Sequence, residues 1–132
     1  MRTKSFTYNG ESGSNRGPVT ITVRRGTVGD KLDVDALSWE LPDTNSTRER
    51  HKQRTFAKAV IHSTVEGDLG FPWPTPDASA EALNAAYVAW IGSDGPLWDQ
   101  WNLALLQVEG AIADPELAAT NTNPKKDAIP SD

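Results

Sequence analysis

The chain of 132 residues contains no cysteine. That excludes a disulfide framework and thiolate metal sites, and suits a reducing compartment. Histidine is nearly as scarce, with only His51 and His62. Eleven positions apart on one helix, they stand roughly 16 Å apart along its axis and cannot share a metal ion. Neither has a neighbouring Ser, Cys or His-Glu-x-x-His context for nucleophilic or metal catalysis, so both read as exposed side chains. Long apolar runs are missing too, which excludes a transmembrane segment, and Met1-Arg2-Thr3-Lys4 leads into polar residues rather than a secretory signal. A cytoplasmic location is expected. The last scarcity is positive charge in the second half. Up to Gly67, eleven Lys/Arg face eight Asp/Glu (+3); from Asp68 onward, Lys125 and Lys126 face ten (−8), which sums to the net −5. Either the two halves attract each other, or one recognises a charged partner, or these are ordinary solvated surfaces.

What is present reads as one α+β domain over residues 1–117, mainly α-helical, with a disordered tail at 118–132. Ser5-Phe6-Thr7-Tyr8 and Val19-Thr20-Ile21-Thr22-Val23 alternate with period two, as half-buried strands do. They predict a β-hairpin within 5–25, closed by a turn-rich polar loop at 9–18. No Gly-Lys-Ser/Thr follows that loop's glycines, so it is not read as a phosphate cradle. About four helices are expected within 27–113. Thr27 and Asp30 have capping-box form, and Val28, Leu32, Ala36 and Trp39 then follow on one face of a helix that should stop at Leu41-Pro42. Asp30, Asp33 and Asp35 suit the helix dipole better than a metal site. Ser46 and Glu49 have the form of a second capping box. Phe56, Ala57, Val60, Ile61 and Thr64 form that helix's apolar side, ending at Gly67.

The prolines of Phe71-Pro72-Trp73-Pro74-Thr75-Pro76 forbid a helix there. One can begin just after, with Thr75 or Asp77 as cap and Glu81 in its first turn. Leu83, Tyr87, Trp90 and Ile91 share a face. Gly92-Ser93-Asp94-Gly95-Pro96 separates it from a last helix whose stripe is Leu97, Trp101, Ala104, Leu105, Val108 and Ile112. So short a connection predicts an antiparallel pair with facing stripes, forming the core.

No residue set presents a base, a nucleophile or a metal cluster, so no catalytic residue, cofactor or metal is assigned and no enzyme is expected. Two surfaces are candidates. Arg48, Lys52, Arg54 and Lys58 form a basic face opposite the apolar side of their helix, at about 100° per residue. Phosphate contacts use such faces, but the acidic total and the lack of a helix-turn-helix place nucleic acid behind protein as partner. The second is aromatic: Phe71, Trp73, Trp98 and Trp101, with Trp98 one residue off its stripe and therefore turned partly outward.

The order of parts adds a resemblance. A hairpin runs into Val-Arg-Arg-Gly-Thr-Val-Gly-Asp-Lys-Leu (Val23 to Leu32). A charged helix, Gly-Phe-Pro-Trp-Pro (Gly70 to Pro74) and an Ala-rich helix pair follow, ending in Asp-Pro-Glu-Leu (Asp114 to Leu117). This resembles the tail assembly chaperones of long-tailed bacteriophages and prophages. The resemblance implies a cytosolic, mainly helical protein that binds the tape measure protein and keeps it soluble while the tail tube assembles. It also implies a longer frameshifted form, for which Pro124-Lys125-Lys126 suits an adenine-rich slippery run; a coding sequence without a slippery heptamer there removes that idea. The competing readings are a structural tail or connector subunit that self-associates, and then a nucleic-acid-binding module.

Overall fold

The computed structural model describes residues 2–9 and 18–114. Most of the loop expected at 9–18 and the tail expected at 118–132 lie outside the described residues. The fold is α+β, with a three-stranded antiparallel sheet and four helices among the described residues. Strand β1 (Thr3–Tyr8) pairs with β2 (Val19–Arg24), from Thr3 opposite Arg24 to Tyr8 opposite Val19. The expected hairpin is thus present. Val19, Ile21 and Val23 are fully buried, because one face of the sheet is covered by a helix. The other face carries a hydroxyl ladder, Ser5 to Thr22 at 2.7 Å and Thr7 to Thr20 at 2.9 Å, as a solvated antiparallel face should.

Helix α1 (Val28–Ser38) starts at the expected capping box, in which Thr27 Oγ1 accepts from Asp30 N and Thr27 N donates to the Asp30 carboxylate. Helix α2 (Thr47–His62) is capped by Ser46, which accepts from Glu49 N. The second capping box is only half formed, since the Glu49 carboxylate accepts the Tyr87 hydroxyl at 2.5 Å instead. That bond ties α2 to α3 (Ala80–Ile91), and burial together with this carboxylate raises the Tyr87 pKa above the ordinary phenol value.

The sequence expectation fails at Thr64. Helix α2 stops at His62, and Ser63–Gly67 forms a third strand, β3, antiparallel to β2. Ser63-Thr64-Val65 is rich in β-branched residues, and the free edge of β2 offers backbone partners that one more helical turn would leave unpaired. Gly67 ends the strand at φ 109°, where a Cβ would stand 2.4 Å from the Pro18 carbonyl oxygen.

Helix α3 is capped by Ser79, not by Thr75 or Asp77, which bond each other in the preceding turn. Glu81 does lie in its first turn. Helix α4 (Gly95–Glu109) begins at Asp94 with Pro96 in its first turn and ends at Gly110, in the left-handed conformation. Ile112 therefore falls beyond the stripe and is exposed, as is Ile91 at the end of α3.

The stripes of α3 and α4 do not chiefly face each other. Leu97, Trp101, Ala104, Leu105 and Val108 of α4 pack on the sheet beside Tyr8, Val19, Ile21 and Val23. Leu83, Ala86, Tyr87 and Trp90 of α3 pack with Phe56, Ala57 and Val60 of α2 and with Val34 and Leu37 of α1. The apolar face of β1 and β2 thus serves as the main partner of the α4 stripe. The two helices still meet edge to face through Trp90 and Trp98, with ring centroids 5.0 Å apart.

Candidate functional site

Helix α1 does not bury the face that its sequence periodicity marks. Its buried positions are Asp30, Val34 and Leu37. Val28, Leu32 and Trp39 are 75%, 64% and 82% exposed, and Ala36 is exposed beside them. The helix carries two apolar stripes about 180° apart, and one ion pair decides between them. Arg24 grips Asp30 with two hydrogen bonds, 2.6 and 3.0 Å, and donates a third, 3.0 Å, to the Ile61 carbonyl. This clamp, reinforced by the Thr27 amide, holds the Asp30 carboxyl well below the usual carboxylate range, and the carboxylate in turn raises the Arg24 pKa. With Asp30 facing inward, Val34 and Leu37 follow it at i+4 and i+7. Val28, Leu32, Ala36 and Trp39 become an outward apolar ridge. At its far end Trp39 borders a small cavity of about 340 Å³ shared with Leu41 and Gln53.

Beside the ridge lies a basic cleft of about 650 Å³. Arg25, Gly26, Lys31 and Val34 form one wall, from the junction of β2 with α1. His51, Arg54, Lys58 and His62 line the other, from α2, and Glu109 of α4 closes the end. Arg54 is paired with Asp35 and Lys58 with Glu109. Arg25 and Lys31 have no carboxylate partner among the described residues. Of the basic face read from sequence, Arg54 and Lys58 therefore belong to the cleft. Arg48 is exposed elsewhere on α2, and Lys52 is half-buried.

The two histidines differ. His51 is exposed as expected, but His62 is buried, and its Nδ1 donates to the Arg24 carbonyl at 3.0 Å. A carbonyl only accepts, so the proton sits on Nδ1. Gly26 packs on this ring so closely that a Cβ there would meet His62 Cε1 at 2.1 Å. Nothing in the spacing of α2 signals this; it follows from the helix ending against β2.

The four aromatic residues read as a binding surface are brought together, but inward. Trp101 is 1% exposed and donates its Nε1–H to Ser63 Oγ at 2.8 Å. The Trp73 ring lies tilted against Trp101, with centroids 4.8 Å apart, and edge to face with Phe56 at 5.6 Å. Phe71, Trp73 and Trp98 are half-buried and pack against both apolar clusters, so they join the sheet layer to the helix layer. The tryptophan that faces solvent is Trp39, on the outward stripe of α1.

No helix among the described residues is long and apolar enough to cross a membrane. Comparison with protein-family models, with curated proteins and with solved structures finds no match to this chain. The described residues thus present two surfaces to a partner: a ridge that supplies apolar contact and a cleft that supplies positive charge.

Proposed function

We propose that this chain is a binding protein rather than an enzyme: a tail assembly chaperone that holds the tape measure protein soluble in the host cytoplasm during tail tube assembly. The α1 ridge carries this reading. Trp39 at 82% exposure presents roughly 160 Å² of a side chain of about 200 Å², worth about 4 kcal/mol gross when buried. A tryptophan flanked along one helix by Val28 and Leu32 is the kind of anchor on which interfaces concentrate their energy. Its natural complement is the apolar face of a second helix, and a tape measure is a long chain of such helices. The order of sequence motifs supports that choice of partner.

Co-expression with the long, helix-rich product of a neighbouring gene tests the proposal. Wild-type protein keeps that product soluble and co-purifies with it. The Leu32→Asp/Trp39→Ser variant leaves it aggregated while itself staying folded. Equal rescue by the variant removes the ridge from the mechanism, and no rescue by wild type removes the chaperone reading.

A further inference from the structure

The ridge and the cleft are neighbours on one helix. Lys31, on the cleft wall, stands roughly 60° around α1 from Val28 and 100° from Leu32 at 100° per residue. A helix laid along the ridge therefore has one flank over the cleft. Resting on the reading above, we infer that the occupant is an amphipathic helix whose cleft-side flank is acidic, its carboxylates bound by Arg25, Lys31, Arg54 and Lys58.

Dimensions and charge both support this occupant. Helix α1 has 11 residues, and the α2 row from His51 to His62 spans eleven steps; each is roughly 16 Å long, matching three turns of a docked helix. Arg25 and Lys31 have no carboxylate of their own among the described residues. Arg54 and Lys58 already hold carboxylates, Asp35 and Glu109, in partly exposed pairs. Such pairs contribute little net stability, so a partner's carboxylate exchanges for them at small cost. Nucleic acid fits less well. Apart from the two histidine rings the lining has no aromatic side chain on which a base could stack, and Asp35 and Glu109 would repel phosphates at two of the four cations.

The test uses two synthetic peptides of about 15 residues, long enough to hold a helix. They share one leucine face and differ in the flank, Glu in one and Lys in the other. The Glu peptide binds the full-length wild-type chain at least about 10-fold more tightly at low salt, and the ratio collapses at high salt. Arg25→Glu/Lys31→Glu, both at exposed positions, reverses the preference with an unchanged circular dichroism spectrum. Trp39→Ala weakens both peptides alike. Equal binding of both peptides that still depends on Trp39 overturns the acidic flank and leaves the ridge standing. Failure of both peptides to bind takes the ridge with it. A single-stranded oligonucleotide bound more tightly than the Glu peptide, and lost in the charge reversal, reassigns the cleft to nucleic acid.

Discussion

Replacing Trp39 and Trp101 in turn by alanine tests the two roles that the structure gives to tryptophan. Trp101 is 1% exposed, with its ring against Trp73 at 4.8 Å and Trp98 at 5.8 Å and its Nε1–H on Ser63. Truncating so buried an indole costs about 3–5 kcal/mol through lost transfer energy and the cavity left behind. The hydrogen bond adds little, because half-exposed Ser63 can turn to water. Against a total stability of about 5–15 kcal/mol, the variant is severely weakened. Trp39 lies 82% in solvent, and its loss changes stability by no more than about 0.5 kcal/mol. Urea denaturation followed by circular dichroism separates the two, as a fall in midpoint at constant slope for Trp101→Ala and none for Trp39→Ala. Iodide quenching checks the same assignment: Trp39→Phe removes the readily quenched emission and leaves the shielded part. A loss above about 2 kcal/mol in Trp39→Ala, or below about 1 kcal/mol in Trp101→Ala, refutes the rotation assigned to α1 and the burial assigned to α4.

Two further substitutions probe the junction between β2 and α1. Asp30→Asn keeps the shape but removes the charge gripped by Arg24, and costs about 1.5–3 kcal/mol in urea at neutral pH. Because the folded-state pKa of Asp30 is depressed, its contribution is present above the unfolded value of about 4 and is lost as pH falls through the folded one. The wild-type advantage over Asp30→Asn should therefore shrink below pH about 4; a constant difference down to pH about 2 contradicts the clamp. Gly26→Ala drives a methyl into the His62 ring and costs about 1–3 kcal/mol. In a His62→Ala background the same change is nearly neutral, and a double-mutant cycle without coupling rules the contact out.

How much of this was legible in the sequence depends on what each signal requires. The strands at Phe6 and Ile21 and the stripe of Leu97, Trp101, Leu105 and Val108 needed only local periodicity, and the structure buries or half-buries each of them. The α2 stripe of Phe56, Ala57, Val60 and Ile61 was equally legible up to His62. Beyond that point the helical pattern at Thr64 competed with the open edge of β2, and a tertiary partner overrode it. The α1 case is different in kind. Its two stripes, Val28-Leu32-Ala36-Trp39 and Val34-Leu37, are both apolar and both helical, so periodicity alone has no means of choosing. The deciding residue is polar. The available signal is an aspartate capping a helix within a few residues of an arginine on the preceding strand, which in sequence reads as a cap and a helix-dipole partner rather than as half of an ion pair.

The Arg24 junction also explains why the two surfaces occur together. Its side chain fixes Asp30 and hence the rotation that turns Val28, Leu32 and Trp39 outward. Its carbonyl receives His62, which fixes how α2 ends beside Gly26 and hence the inner wall of the cleft. Arg25, the next residue, is left at the cleft mouth with no carboxylate partner among the described residues. Ridge and cleft are thus set by the two ends of one residue, so a change there moves apolar and charged contacts together. For the helical partner proposed above, that coupling would hold its apolar face and its charged flank in a fixed register, with the flank over Lys31 and Arg54. In that proposed binding mode the apolar contact would supply most of the affinity, and the cleft would select among helices that offer the same apolar face.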